Sequence, residues 1–270
     1  MRRALVRFAR SVYLIVRETG AMRSSFGRWL FFALYDQYKK WVEDPFQGLL
    51  NQHPELFRGG NIIDVGANLG YTVEIFARGV QNPFQVFAFE PDPETFRYLG
   101  DRIQKKALTA VRTFPFAVGA RECDTQLYRS PLHPADHRVY LPAGRTEFLE
   151  SSKHPIDVKQ VTLDAFCRQH GILDSVILVK IDVQGFEFEV LKGMMGLFEK
   201  NPELKVALEL DLPSLQEAGT SLEEIRTFFG VYGLTYELVE LSGRLRKIAD
   251  SELDSIVRKN GYIDILIHKG

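Results

Sequence analysis

From residue 61 onward, short runs rich in β-branched and aromatic residues alternate with longer runs whose apolar residues recur at helical spacing. That alternation admits little besides a mostly parallel sheet covered by helices, because a period of two and a period of 3.6 cannot share one element. It predicts strands over 61–65, 85–89, 111–118, 176–181, 204–210, 235–241 and 262–268, and helices over 70–80, 93–106, 163–170, 186–200 and 222–230. Between 119 and 160, Pro131, Pro134, Pro142 and Pro155 interrupt the pattern and predict a long irregular piece. The expectation is one seven-stranded α/β domain over 51–270, with the first fifty residues appended as a helical cap.

With 45% apolar and 26% charged residues in 270, the chain can bury a core and is neither disordered nor fibrous. Its net charge of −1 gives it no polycationic character, and no nucleic-acid partner is expected. Positive charge is concentrated at the start: residues 1–40 hold nine Arg or Lys against Glu18 and Asp36. Within 1–17, Leu5, Phe8, Val12, Ile15 and Val16 fall on one helical face and most arginines on the other. Such a helix either packs on the main domain or lies on an anionic membrane surface; the packed state is expected, with peripheral membrane contact through 1–17 as the alternative. No run is long and apolar enough for a spanning helix, and no small-residue cleavage site follows the first helix, so it is read as mature protein. Cys123 and Cys167 form neither a disulfide framework nor a metal motif, and a cytoplasmic location, with or without the membrane surface, is expected.

The chemistry-bearing segments stand at the carboxyl ends of predicted strands, where open parallel sheets bind ligands. The first strand ends in Asp64-Val65-Gly66-Ala67-Asn68-Leu69-Gly70. Its spacing departs from the dinucleotide fingerprint G-x-G-x-x-G. The second ends in Phe89-Glu90-Pro91-Asp92-Pro93. Glu90, about twenty residues past the turn, suits the hydroxyls of a ribose, while Asp92, just before a proline, suits a helix N-cap. Asp64 beside the turn disfavours a pyrophosphate and favours a cofactor with a cationic end, such as S-adenosylmethionine. On the strand over 176–181 and just beyond it, Lys180 and Asp182 alternate onto one face; Glu209 and Asp211 add carboxylates to the same rim.

Five blocks in this order, D-V-G-A-N-L-G-Y at 64–71, F-E-P-D-P at 89–93, A-V-G at 117–119, V-T-L-D at 161–164 and K-I-D-V-Q-G-F-E at 180–187, resemble the FkbM-type family of S-adenosylmethionine-dependent methyltransferases. The resemblance implies a class I, Rossmann-like three-layer sandwich whose last strand is antiparallel, and methyl transfer to a hydroxyl of a sugar, glycan or secondary metabolite. It implies that Asp64, Gly66, Asn68 and Gly70 line the methionine part of the cofactor. Glu90, with Pro91, would meet the ribose; Phe116, Ala117 and Val118 would border the adenine. Asp182 would face the transferred methyl group. Family members often carry Glu where this chain has Gln184, and no catalytic role is assigned to Gln184.

Displacement at an alcohol requires near-attack geometry and removal of a proton. Asp182 and Glu209 are the catalytic candidates; Asp211 and the histidines His133, His137 and His154 of the irregular segment are further candidate bases, His133 and His137 being read first as solvent-exposed loop residues. His133 and His137 are separated by Pro134, against helical metal-ligand geometry, and no metal is predicted. Acceptor recognition is expected from the 119–160 insertion, through Tyr128, Arg138, Tyr140 and Arg145. Two competing readings are a nucleic-acid methyltransferase holding phosphates with its basic N-terminus, and a non-enzymatic membrane-associated module on the same fold.

Overall fold

The computed structural model describes residues 39, 44–130, 136–141 and 153–270. The expected helix over 1–17 and most of the basic segment lie outside the described residues, as do His133 and Arg145.

The chain enters through helix α1 (Phe46–Gln52) and a short 3-10 turn (Pro54–Phe57). Then β1 (Asn61–Val65), α2 (Tyr71–Gly79), β2 (Val86–Phe89), α3 (Pro93–Lys105) and β3 (Val111–Phe114) follow. Strands β4 (Phe116–Val118), β5 (Cys123–Leu127) and β6 (Ile156–Val161) lead to α4 (Leu163–Gln169) and β7 (Val176–Ile181). After α5 (Glu187–Lys192), α6 (Met195–Lys200), β8 (Lys205–Asp211), α7 (Leu212–Glu217) and α8 (Leu222–Tyr232), the chain closes with β9 (Leu234–Val239), β10 (Leu245–Lys247), α9 (Asp250–Asn260) and β11 (Tyr262–Lys269).

The main sheet runs β10-β9-β11-β8-β7-β1-β2-β3. Pairings among β3, β2, β1, β7 and β8 are parallel, and β11 lies antiparallel between β8 and β9. This is the Rossmann-like order of a class I fold, with an inserted antiparallel last strand. The sheet has eight strands rather than seven, because β10 folds back on β9 as a hairpin. Successive strand residues feed opposite cores, as the pleat requires. Ile63, Phe87, Val179 and Val206 pack with α4 to α9, whereas Ile62, Ala88, Leu178 and Ala207 pack with α1, α2 and α3. The result is three layers. No helix among the described residues is long and apolar enough to cross a membrane.

Four departures from the sequence reading have physical causes. The strand predicted over 111–118 is two strands: Pro115 has no N–H to donate, and β4 leaves the main sheet for a second one, β4-β6-β5. The 119–160 piece is therefore not irregular throughout, since β5 and most of β6 lie within it. The helix predicted over 186–200 breaks into α5 and α6 at Gly193, whose backbone is so close to Gly119 that a Cβ would stand 2.1 Å from its carbonyl oxygen. The side chain of Asp164 then caps the restart, accepting from Gly196 N and Leu197 N at 2.8 and 2.9 Å. Finally, α1 crosses the division expected at residue 50. Phe46 and Leu49 are buried, Phe46 stacks edge-on against Phe76, and Gln52 donates to Ser242 O on the β9–β10 hairpin.

Candidate functional site

The β1–α2 turn is wedged between the ends of β2 and β7. Gly66 has φ +78°, and a Cβ there would lie 1.9 Å from Asp182 O, so only glycine fits. Gly66 N and Ala67 N both donate to Phe89 O. Asn68 takes the left-handed conformation at φ +47° and donates its backbone N–H to Glu90 Oε2 at 3.0 Å. Asp92 N donates to the other Glu90 oxygen at 2.9 Å, so one carboxyl group ties two rim loops together. Burial pushes Glu90 up to about 8, against the pull of those two N–H donors. Asp92 caps α3 by accepting from Glu94 N and Thr95 N, and it also pairs with Arg129.

Strand register gathers the charges. Asp64 on β1 stands opposite Lys180 on β7, Lys180 opposite Ala207 on β8, and Glu209 opposite Asp264 on β11. All lie on the α1–α3 side, near the carboxyl end of the parallel strands. Lys180 is 4% exposed; its ammonium lies 3.2 Å from Asp64 Oδ1 and 3.4 Å from Asp182 Oδ2, and it donates to Gly66 O at 3.0 Å. Burial opposes its charge, yet Asp64 and Asp182 hold it protonated well above the ordinary lysine range. Burial likewise pushes Asp182 up, but Lys180, Lys39 and the hydrogen bonds from Gln184 and Glu209 together outweigh it and hold Asp182 down at about 2. Burial and the Asp182 charge keep Glu209 protonated well above the usual carboxylate range, and the same two causes raise Asp264 to about 8.

Two hollows meet at Asp182. The first, about 620 Å³ including its mouth, has Gly66, Asn68, Glu90 and Pro91 on one side and Phe116, Ala117 and Val118 on the other. Leu127, His137 and Val139 close it; of these only His137 was marked by sequence, as a base. His137 Nδ1 accepts from Ser130 N at 3.0 Å. The second hollow, about 330 Å³ including its open mouth, lies beside it among Lys39, Asp44, Thr72, Lys180, Glu209 and Asp264. Asp64 and Gly70 do not line the first hollow. Asp64 is fully buried and accepts from Thr72 Oγ1, and a Cβ on Gly70 would meet Leu99 at 2.6 Å.

Of the residues expected to recognise an acceptor, Arg138 and Tyr140 are engaged elsewhere. Arg138 is 1% exposed and is spent on Asp136, Gln184 O, Ser214 Oγ and Glu217. Tyr140 Oη lies 2.8 Å from Gln184 O and 3.0 Å from Ser214 O. Tyr128 bridges Arg138 through the backbone, and His154 is exposed and lines neither hollow. Asp211 accepts from Ser214 Oγ at the start of α7. Among the described residues, no group of three His, Cys, Asp or Glu side chains is arranged to hold a metal ion.

The first hollow presents two carboxyl groups, Glu90 and Asp182, and no Lys or Arg among its described lining. That donor set fits a ligand carrying hydroxyls and a cationic centre, and it would repel a pyrophosphate. The family model of the methyltransferase FkbM domain matches residues 64–238. The chain belongs to the FkbM methyltransferase family. Among curated proteins, this FkbM chain is 28% identical over 148 residues to Methyltransferase 1 of Beauveria bassiana, covering 49% of this chain and 57% of that one. It is 29% identical over 137 residues to the hexuronic acid methyltransferase AglP of Haloferax volcanii, covering 50% of each. The chain thus spans about half the length of the curated relatives it matches. Among solved structures, the FkbM methyltransferase of Methylobacillus flagellatus KT aligns with a TM-score of 0.47 at 15% identity, over 94% of this chain and 58% of that one. The O-methyltransferase TomG of Streptomyces achromogenes, solved with S-adenosylmethionine, aligns with a TM-score of 0.46 at 12% identity, over 85% and 82%.

Proposed function

We propose that this chain is an S-adenosylmethionine-dependent methyltransferase acting on a hydroxyl oxygen of a sugar or a similar polyhydroxylated small molecule. The observation that carries the reading is Asp182, an ionised carboxylate that forms part of the wall of both hollows. Family membership supports the cofactor, and the hexuronic acid methyltransferase among the relatives supports a sugar acceptor.

In this reading the cofactor would occupy the first hollow and supply an electrophilic methyl group on a positively charged sulfur. Glu90, kept protonated by burial, would exchange hydrogen bonds with the ribose hydroxyls, donating its own proton and accepting with the lone pairs that Asn68 and Asp92 leave over. Phe116, Ala117 and Val118 offer the adenine a mostly apolar wall. Asp182 would accept a hydrogen bond from the acceptor hydroxyl, aligning its oxygen for displacement and taking its proton as the new bond forms. Held down at about 2, Asp182 is a weak base, so alignment is the larger part of its work. Glu209, kept protonated, hydrogen-bonds to Asp182 and leaves the charge on Asp182. An acceptor hydroxyl would reach Asp182 from the polar side of the second hollow, and not through the spent Arg138 and Tyr140.

Isothermal titration of the full chain with S-adenosylmethionine, S-adenosylhomocysteine and NAD tests the reading. It expects dissociation constants on the order of micromolar for the first two and no heat with NAD. Absence of binding for both sulfur compounds would overturn it.

A further inference from the structure

Gln184 occupies the turn after β7 with φ +54°, a left-handed backbone that a residue with a Cβ adopts at a cost. The surroundings force it. Its carbonyl oxygen accepts from Arg138 Nη1 at 2.9 Å and faces Tyr140 Oη at 2.8 Å. Arg138 is itself anchored to Ser214 Oγ at 3.1 Å and Glu217 at 3.4 Å. On the other side of the turn, Glu187 accepts from Val183 N and Gly185 N at 3.0 and 2.9 Å. A Cβ on Gly185 would stand 2.4 Å from Tyr140 Oη, so no bulkier residue could take the next place.

What this bracing delivers is one side-chain amide between two carboxyl groups. Gln184 Nε2 lies 3.0 Å from Asp182 Oδ1 and 3.2 Å from Glu209 Oε2. Its two hydrogens can serve both at once. Asp182 Oδ2 is meanwhile turned to Lys180 at 3.4 Å. Both oxygens of Asp182 are thus claimed from fixed directions, and the carboxylate plane cannot rotate without losing one of them.

We propose that Gln184 is a positioning residue, its amide clamping Asp182 Oδ1 and Glu209 Oε2 so that Asp182 keeps its carboxylate presented at the junction of the two hollows. The inference rests on the cofactor reading of the first hollow, because it assigns the presented charge to the cationic sulfur. Other titratable groups near the pair are Lys39, Asp264, Glu187 and Asp44, and Gln184 brings one amide to Asp182 Oδ1 and Glu209 Oε2 together. A clamp of this kind acts on orientation, so its loss should register in charge discrimination and not in overall binding.

S-adenosylmethionine and S-adenosylhomocysteine differ at the sulfur, charged in the first and neutral in the second, and their affinity ratio reads the presented carboxylate directly. Titration calorimetry of wild type, Gln184→Met, Asp182→Asn and the double variant gives that ratio. In Gln184→Met, which keeps length but has no donor, S-adenosylmethionine should weaken about tenfold while S-adenosylhomocysteine stays within about threefold. Asp182→Asn should show the same loss, and the double variant should show no more than either alone. If Gln184→Met does not fold, Gln184→Asn, whose amide is one methylene too short to reach both carboxyl groups, should lower the ratio in the same direction. An unchanged ratio in a folded variant, or additive losses in the double, would overturn the clamp while leaving the cofactor reading intact. Failure of wild type to bind either compound would overturn both.

Discussion

Lys180 is the charge on which the rim depends. It is buried and meets both Asp64 and Asp182 at ion-pair distance. Lys180→Met would leave two carboxylates without their cation, and removing one partner of a buried pair costs about 3–5 kcal/mol. Urea unfolding should show a loss of that size; a loss below about 1 kcal/mol would mean that Asp64 and Asp182 find other compensation. Glu90 predicts a mixed phenotype. Glu90→Ala strands Asn68 N and Asp92 N, each losing its acceptor in a buried turn, so the apo protein should lose about 1–3 kcal/mol. Affinity for S-adenosylhomocysteine should fall as well, and a variant stable as wild type would sever Glu90 from the loop-tying role. Some of this was legible locally: the cap by Asp92 and the shared face of Lys180 and Asp182 follow from neighbours two or three residues apart. The pairing of Lys180 with Asp64 was not, because 116 positions separate them and only strand register brings them together.

At the scale of elements, the 119–160 excursion works as a brace. Its strands β5 and β6 form a second sheet with β4, and the piece around Arg138 runs to the turn after β7 and to α7. Arg138→Met should therefore lower stability by about 3–5 kcal/mol, the order expected when a buried charged network loses its cation. A thermal midpoint equal to that of wild type would return Arg138 to the acceptor-binding role that composition suggested. Sequence could not show the difference. An arginine beside tyrosine in a proline-rich stretch reads the same whether it faces solvent or is buried, since burial depends on what α7 and β7 place opposite it. Helix α9 lies outside the helices that periodicity predicts, because Leu253, Ile256 and Val257 are few within a strongly charged run. The break between α5 and α6 has no comparable mark, since Gly193 is an ordinary helical glycine until Gly119 comes against it.

For the whole molecule, opposing titrations set a pH window. Burial raises Asp44 and Glu187 to about 7, and Glu90 and Asp264 to about 8. Each binds its proton more tightly folded than unfolded. Their contribution is therefore complete below the unfolded value near about 4, and it is lost as pH rises through 7 to 8. Asp182, depressed to about 2, contributes in the opposite sense: its share is present above about 4 and lost as pH falls toward 2. The apo thermal midpoint should be highest near about pH 5 and fall steadily to pH 9. Calorimetry across that range checks it, and a midpoint that rises from pH 6 to 9 would contradict the buried, protonated state of the four acids. The sequence by itself determined the parallel sheet, the helices that follow β1, β2 and β6 and, in outline, helix α8 beyond β8, and the chemistry-bearing ends of β1, β2 and β7, because strand and helix periods and capping residues are local properties of the chain. The tertiary structure alone decided which charges meet, that α1 belongs to the body, that Arg138 and Tyr140 are internal braces, and that Gln184 stands between Asp182 and Glu209. The reason is physical: register and close backbone approach are set by segments tens to more than a hundred residues apart, and no local pattern encodes them.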